Sequence, residues 1–103
     1  PSTHLLAAID NNGNIAGVLT LVLFDIPTYC KAWIEDVITY HEYRGQGIGT
    51  QLLNQMLDML RRKGYPQVSL SVQKENYALR MYQKAGFETV EERGEEVLMV
   101  VRM

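Results

Sequence analysis

Glycine occupies every second position of one short stretch, at Gly45, Gly47 and Gly49, directly before a segment with helical apolar spacing. From Ile48 to Leu60 the apolar residues recur on one face of a helical period, which predicts an amphipathic helix that stops at Gly64. The segment just before the glycines is rich in β-branched and aromatic side chains and predicts a strand. This order of strand, glycine loop and helix indicates a fold that combines sheet and helix.

The other segments of the chain extend this pattern. Two strands at 4–10 and 14–24 are joined by a hairpin turn at Asn12 and Gly13, and a loop at 25–31 leads to the strand at 32–40. A strand at 67–72 follows the first helix. A second helix from Asn76 to Gly86 then precedes strands at 87–91 and 97–102. We therefore expect an α+β fold of order β-β-β-α-β-α-β-β, with a mostly antiparallel sheet and helices on both of its faces.

The composition limits the classes of function. The chain of 103 residues is 47% apolar and 21% charged, which is typical of one globular domain, here residues 1–103. Its formal charge of -2, with acidic and basic residues interspersed, indicates neither a nucleic-acid partner nor a membrane surface. No apolar run reaches the roughly 18 to 20 residues that cross a bilayer. A single cysteine, Cys30, excludes an internal disulfide and favours a reducing, cytoplasmic compartment.

The glycine loop is suited to an anion. The first N–H groups of a helix have no partner inside the helix, and the helix dipole favours negative charge at the same place. Glycine lets the backbone approach a ligand closely, and Arg44 adds a permanent positive charge. Thr50 and Leu52 stand where a dinucleotide fingerprint needs its third glycine, and no lysine completes a P-loop. We expect a phosphate ligand; the alternative is a tight turn that only lets the helix pack on the strand.

Two sets of residues, taken together, resemble a known family. They are Arg44, Gly47 and Gly49 ahead of the first helix, and Asn76, Ala78, Tyr82, Gly86 and Phe87 in the stretch ENYALRMYQKAGF. Both sets at this separation are similar to the GNAT superfamily of N-acetyltransferases, which move an acetyl group from acetyl-CoA to an amine. The resemblance extends over nearly the whole chain, and it implies an enzyme that uses acetyl-CoA as cosubstrate.

The resemblance also implies which residues hold the coenzyme. The backbone amides from Gln46 to Thr50 would bind its diphosphate, and the backbone of the preceding strand would lie along the pantetheine arm. Asn76 is expected both to cap the second helix and to contact the CoA chain. The expected coenzyme-binding residues are Val37, Ile38, Thr39, Arg44, Gly45, Gln46, Gly47, Ile48, Gly49, Thr50 and Asn76.

Two side chains are candidates for proton transfer. Tyr82 stands where the family commonly has a tyrosine acid; a tyrosine with a reference pKa of about 10 stays protonated at neutral pH and can protonate a thiolate of pKa near 8.5. Packing of its ring in the core is the alternative role. For the base, Glu35 and Asp36 should point to opposite faces of the strand, with Ile34, Asp36 and Ile38 on one face. Only one of the two carboxylates should therefore face the cleft.

Glu35 is the preferred base. The phrase IEDV ahead of YRGQGIG is similar to polyamine and aminosugar-phosphate members of the family, in which a glutamate at this place assists deprotonation. A reference carboxylate lies about 6 pKa units below an alkyl ammonium, roughly 8 kcal/mol, so we expect the base to act through water. A solvated or ion-paired strand carboxylate is the alternative role of Glu35.

The chain departs from the family at its start. The strand and two helices that usually precede His4, and that form much of the acceptor pocket, are absent. We expect either a fragment of a larger acetyltransferase or a partner chain that completes this wall, and exposed sheet edges favour a homodimer.

The acceptor stays open between small amines and protein amines, and a CoA-binding domain without turnover is the alternative function. Cys30 is expected to be a spectator, and His4 and His41 suggest no metal site.

Overall fold

The computed structural model describes residues 1–26 and 29–103, with positions 26, 29 and 30 described by their backbone alone. The strands in these residues are β1 (Ser2–Ile9), β2 (Ile15–Ile26), β3 (Tyr29–Thr39), β4 (Gln67–Gln73), β5 (Glu88–Arg93) and β6 (Glu96–Arg102). The helices are α1 (Ile48–Arg62) and α2 (Ala78–Lys84), and a short 3-10 helix spans His41–Tyr43. The predicted order β-β-β-α-β-α-β-β is confirmed.

The six strands form one sheet in the order β1-β2-β3-β4-β6-β5. Neighbouring strands are antiparallel except β3 and β4, which are parallel, so the predicted mostly antiparallel α+β architecture is confirmed. The hairpin between β1 and β2 is also confirmed, although its turn is longer than two residues. The N–H of Asp10 donates to the carbonyl of Asn14 at 2.8 Å, and Gly13 supplies the positive φ of 85°.

The predicted loop at 25–31 is wrong at both of its ends. β2 continues to Ile26 and β3 begins at Tyr29, with Phe24 paired to Lys31. The ladder between these two strands runs past the polar residues that suggested a loop, because cross-strand hydrogen bonds outweigh the low strand preference of single residues. Residues 27 and 28 lie outside the described part of the chain, as does the Cys30 side chain to which the spectator prediction applies.

Helix α1 forms where the apolar spacing predicted it. Its buried residues are Leu52, Leu53, Met56, Leu57 and Leu60. Fully burying a side chain of this size contributes about 1.5–3 kcal/mol, so this face fixes the helix on the sheet. The helix ends at the predicted glycine, because Gly64 adopts a φ of 84° and the N–H of Tyr65 donates to the carbonyl of Leu60 at 3.0 Å.

Both described helices pack on the same face of the sheet, so the expected placement on both faces is wrong for this part of the chain. The core combines α1 and Tyr82 of α2 with strand residues of one face, such as Leu19 and Leu21. Val18 and Val22 alternate with them, point to the opposite face and are only half-buried. The connections β3-α1-β4 and β4-α2-β5 join parallel strands and advance across the sheet in one direction. Right-handed crossovers of this kind place their helices on one face.

A bulge in β3 overturns the expected alternation of its side chains. Thr20 pairs with Asp36 and Leu21 with Ile34, so Glu35 is an extra residue without a cross-strand partner on β2. Leu19 pairs with Val37, which places Val37 on the helix-covered face together with Ile34. The grouping of Ile34 with Asp36 is therefore wrong, because one inserted residue reverses the alternation beyond it.

The sheet opens between β3 and β4. These strands pair only from Ala32 and Val68 to Ile34 and Leu70. Beyond Ile34, at the bulge, β3 turns away while β4 continues beside β6 as far as Gln73. The parallel pair therefore splits into a cleft that begins at Glu35.

Candidate active site

The loop between β3 and α1 has the geometry of an anion site. Gly45 and Gly47 adopt positive φ values of 79° and 77°, a conformation in which a side chain would be strained. The first intrahelical bond runs from the N–H of Gln51 to the carbonyl of Gly47 at 3.0 Å. The amides of the helical first turn, from Ile48 to Thr50, thus remain available to a ligand.

A cavity of about 190 Å³, the glycine-loop cavity, opens at these amides. Its lining residues are Thr39, Arg44, Gly45, Gly47, Ile48, Gly49, Thr50, Tyr77 and Met81. The Arg44 side chain is held by its Nε, which donates to the carbonyl of Thr39 at 3.3 Å. The two helices meet here, since a Cβ on Gly49 would lie 3.1 Å from Sδ of Met81. Glycine at this position therefore keeps the floor of the cavity open.

A second cavity of about 250 Å³, the split cavity, lies where β3 and β4 diverge. Its lining residues are Glu35, Asp36, Val37, Ser71, Val72, Gln73, Asn76, Tyr77, Ala78, Tyr82 and Glu96. Tyr77 lines both cavities, so they adjoin along the start of α2.

Both carboxylates of the bulge reach the split cavity. Glu35 and Asp36 line it together, whereas strict strand alternation would allow only one of them to do so. Neither side chain forms an ion pair with another residue in the part of the chain that the structure describes. The expectation that one carboxylate alone faces the cleft is therefore wrong, and the bulge is the reason.

Tyr82 has a buried ring and an accessible hydroxyl. Only 6% of the residue is exposed, and its ring packs edge to face on Phe87 with centroids 5.8 Å apart. Its hydroxyl has no hydrogen-bond partner among the described residues. Every fully buried polar side-chain atom in these residues has a partner, so the Tyr82 hydroxyl is not fully buried. The hydroxyl is therefore accessible, and Tyr82 lines the split cavity. Burial raises the pKa of Tyr82 above its ordinary value, and the charge of Asp36 and the nearby Tyr77 hydroxyl add to this rise.

Asn76 caps helix α2 as expected. Its Oδ1 accepts a hydrogen bond from the N–H of Ala78 at 2.8 Å, and the residue also lines the split cavity. A contact from Asn76 to CoA stays a prediction. The capping residue is Asn76 and not Tyr77, which directly precedes α2, because Tyr77 already has helical φ and ψ.

The other expected residues divide between different surfaces. Val37 lines the split cavity and Thr39 the glycine-loop cavity, while Ile38 is 44% exposed and its side chain lines neither. Gln46 lines neither of them and instead lines a cavity of about 480 Å³ between β1 and α1. Sequence reasoning missed Met81 and Glu96, which line the two site cavities. Met81 follows Tyr77 by four positions, a spacing that places two side chains on the same face of a helix, and this was a signal for Met81. Glu96 had no such signal.

Comparison with known proteins assigns the family. Residues 1–87 match the family model described as the acetyltransferase (GNAT) family. The chain belongs to the GNAT family. Over 81 residues it is 31% identical to N-alpha-acetyltransferase 30 of Schizosaccharomyces pombe (strain 972 / ATCC 24843), a match that covers 78% of this chain and 54% of that protein. The GNAT chain described here thus spans about half the length of this relative.

Solved structures share the GNAT fold. The NatC complex bound to Gag peptide and CoA matches with a TM-score of 0.84 and 21% identity over 96% of this chain and 70% of that one. The PaiA N-acetyltransferase from Thermoplasma acidophilum in complex with coenzyme A matches with a TM-score of 0.83 and 24% identity over 98% of this chain and 61% of that one. At these identities the likeness establishes the fold.

Two further features bear on the site and its surroundings. In the described part of the chain, neither helix is long and apolar enough to cross a membrane. Within residues 1–26 and 29–103, His, Cys, Asp and Glu side chains form no group of three or more suited to hold a metal ion.

Proposed function

We propose that this chain carries an acetyl-CoA-dependent N-acetyltransferase activity toward a primary amine. Family membership supports the reaction class, and the glycine loop at the start of α1 supports the cosubstrate. The single observation that carries the proposal is that the glycine-loop cavity and the split cavity are neighbours that share Tyr77. An anion site thus lies next to a cavity lined by Tyr82, whose hydroxyl has no partner among the described residues.

The CoA diphosphate binds at the amides of Gln46 to Thr50, with the Arg44 guanidinium beside it. A helix N-terminus and an arginine both favour a doubly charged anion. The pantetheine arm follows the backbone of Val37, Ile38 and Thr39, which the split leaves without partners on the β4 side. Asn76 contacts the same arm. This course brings the thioester to the split cavity.

Acetyl transfer then proceeds by direct attack. The neutral amine nitrogen attacks the thioester carbonyl carbon, so that a C–N bond forms and the C–S bond breaks. The proton lost by the amine passes through water to Glu35, and the Tyr82 hydroxyl donates its proton to the leaving sulfur. Water returns a proton from Glu35 to Tyr82, and the products are an N-acetylated amine and free CoA thiol. The raised pKa of Tyr82 keeps its proton available throughout the neutral range.

The acceptor is either a protein N-terminal amine or a small primary amine. The relative from Schizosaccharomyces pombe is named for acetylation of α-amines, which supports the first. An α-amine has a reference pKa of about 7.7–8.0, so a reference carboxylate is about 3.5 units away, roughly 5 kcal/mol, instead of about 6 units for an alkyl amine. Proton transfer to a carboxylate is therefore easier from an α-amine.

We also propose a cytoplasmic location and self-association for this chain. A single cysteine supports assignment to the reducing cytoplasm. The outer edges of β1 and β5 support pairing with a second copy of the chain, and a homodimer stays a prediction.

Binding of CoA and of pantetheine, which lacks the diphosphate, tests the coenzyme site. Arg44→Gln should weaken CoA binding about ten-fold in calorimetry and leave pantetheine binding unchanged, because a charge-assisted hydrogen bond contributes about 1.5–3 kcal/mol. Lys63→Gln, which removes the same charge beyond the far end of α1, should change neither affinity. An unchanged CoA affinity in Arg44→Gln would contradict the site. Thiol release with a panel of amines then tests turnover, and CoA binding without any release would favour the CoA-binding domain.

A further inference from the structure

We propose that the ring of Tyr77 is a clamp for the cosubstrate and closes over the pantetheine arm of CoA where the two site cavities meet. This inference rests on the proposed function, since it concerns how the same coenzyme is held. Tyr77 is not among the expected coenzyme-binding residues, most of which act through the backbone of β3 and of the glycine loop. The clamp adds a side chain from the start of α2 to that backbone site.

Tyr77 lies at the junction of the two cavities. Of the described residues, it alone lines both the glycine-loop cavity and the split cavity. The walls of the junction approach closely at Gly49, where an added Cβ would be 3.1 Å from Sδ of Met81. The same Cβ would be 3.5 Å from Oγ1 of Thr39 and 3.7 Å from Cγ1 of Val37, both on β3. Met81 follows Tyr77 by one helical turn, and Tyr77 already has helical φ and ψ, so both side chains lie on one face of the helix.

The Tyr77 ring is exposed while its backbone is fixed. The residue is 81% exposed, and its ring packs on no other aromatic ring among the described residues. The carbonyl of Asn76 accepts a 3.1 Å hydrogen bond from the N–H of Leu79, which holds the backbone on both sides of Tyr77. One exposed tyrosine needs no explanation by itself. This ring, however, borders both site cavities, and rotation about its side-chain bonds can carry it over a ligand that lies between them.

The pantetheine arm is the part of CoA that would lie beside Tyr77. In the proposed function the diphosphate binds at the glycine loop and the thioester lies in the split cavity, so the arm crosses the boundary that Tyr77 lines. The arm carries amide groups and a dimethyl-substituted carbon, and a tyrosine offers an apolar ring face and a polar hydroxyl. Closure of the ring over the arm would remove apolar surface of both from water. The backbone of β3 supports the arm from the opposite side.

Fragments of CoA test the clamp. Calorimetry with CoA, with pantetheine and with 3′-phospho-ADP, the nucleotide end without the arm, separates the two parts of the coenzyme. Tyr77→Ala should weaken binding of CoA and of pantetheine about ten-fold, because a buried aromatic ring contributes strongly to binding, and should leave binding of 3′-phospho-ADP unchanged. Arg44→Gln should have the opposite pattern. Tyr77 is exposed, so its variants are expected to fold.

Two control variants accompany this experiment. Tyr77→Phe keeps the ring and should bind pantetheine nearly as well as the native protein, because the net contribution of one neutral hydrogen bond is modest. Tyr40→Ala removes a tyrosine that is 46% exposed and lines neither cavity, and it should change none of the three affinities.

Chemical modification measures the covering of the ring without any turnover. Tetranitromethane nitrates accessible tyrosine rings, and mass spectrometry of peptides locates the products. CoA and pantetheine should each slow the nitration of Tyr77, whereas 3′-phospho-ADP should not. Tyr40 should react at the same rate in all four samples, the free protein included.

Kinetics separate the clamp from the proposed acid. A contact made equally in the ground state and the transition state affects KM alone, so Tyr77→Ala should raise the KM for acetyl-CoA about ten-fold with kcat nearly unchanged. Unchanged pantetheine affinity in Tyr77→Ala, or nitration of Tyr77 that pantetheine does not slow, would overturn the inference and leave the proposed function standing. Absence of CoA binding to the native protein would contradict the proposed function, and the clamp with it.

Discussion

Tyr82 shows how one side chain serves packing and chemistry at once. Its ring belongs to the core, where it contacts Phe87, while its hydroxyl lies at the wall of the split cavity. Burial stabilises the neutral phenol over the phenolate, and the charge of Asp36 acts in the same direction. A proton donor to a thiolate needs this protonated form, so the packing role and the proposed catalytic role support each other.

Replacing Tyr82 by phenylalanine tests its role as the acid. Tyr82→Phe should lower kcat about a hundred-fold, because a general acid contributes about 10²–10⁴, with little change in the affinity for acetyl-CoA. As the pKa is raised above the ordinary value of 10.0, the native enzyme should show no loss from ionisation of this group below about pH 10. Steady-state kinetics from pH 6 to pH 10 measure both effects. Tyr40→Phe is the matched control, and an equal loss of kcat in that variant would contradict the assignment.

The Asp10 and Tyr43 pair links the hairpin turn to the segment before the glycine loop. The Tyr43 hydroxyl donates a 2.6 Å hydrogen bond to Oδ2 of Asp10, and backbone N–H groups of Asn12 and Asn14 donate to Oδ1. The Tyr43 bond, followed by the bond from Asn14, lowers the pKa of Asp10, and the same contact raises the pKa of Tyr43. Each partner therefore keeps its native protonation state over a wider range of pH.

This pair predicts a specific dependence of stability on pH. A lowered carboxyl pKa adds stability that is present above the ordinary value of 3.8 and is lost as the pH falls through the folded-state value. Tyr43→Phe removes the largest cause, so urea unfolding from pH 6 to pH 2.5 should show the two proteins converge in stability on acidification. Asp10→Asn should flatten the same part of the curve. A constant difference between native protein and Tyr43→Phe at every pH would contradict this linkage.

At the scale of elements, the junction of β2, β3 and α1 holds the glycine loop in place. Gly17 of β2 lies under the start of α1, where an added Cβ would be 2.8 Å from the carbonyl oxygen of Ile38 and 3.0 Å from Cγ2 of Ile48. The first contact is with backbone, which has no free torsion to move aside. Absence of a side chain at Gly17 is therefore what lets α1 begin close to the sheet.

Gly17→Ala should destabilise the protein by about 1–3 kcal/mol, the usual cost of overpacking, and should weaken CoA binding because the start of α1 shifts. Gly49→Ala is the contrast, since its Cβ would meet the flexible end of Met81 at 3.1 Å and should cost less stability. Urea unfolding and calorimetry with CoA measure the two quantities. A smaller loss of stability in Gly17→Ala than in Gly49→Ala would contradict the proposed contact.

At the scale of the whole molecule, one core joins the two halves of the sheet. Buried residues of β2, β3, β4 and β6 and of both helices belong to the same cluster, and Met99 of β6 is fully buried within it. The split between β3 and β4 interrupts the hydrogen-bond ladder but not the packing beneath it. Assignment of residues 1–103 to a single domain stays a prediction, and this shared core supports it.

Met99→Ala should therefore destabilise the whole protein and not only the β5–β6 end. Loss of a buried methionine costs about 2–5 kcal/mol, whereas Leu98→Ala, on the half-buried opposite face of β6, should cost less. Trp33 fluorescence reports on β3 and far-ultraviolet circular dichroism reports mainly on the helices, and both transitions should move together in urea. Separate midpoints for the two signals would show that the halves unfold independently.

The sequence by itself determined most of the helices and strands and the glycine loop of the candidate site. Apolar periods and glycine positions are local signals, so α1, its stop at Gly64, the order of the elements along the chain and the glycine loop before α1 were all predictable from neighbours along the chain. Tertiary structure decided what depends on partners distant in sequence. The register with β2 created the bulge at Glu35, which brought a second carboxylate into the cleft, and the direction of both crossovers placed both helices on one face. Glu96 joined the site only through the pairing of β6 with β4, because a polar residue at the start of a strand carries no local signal of what it will face.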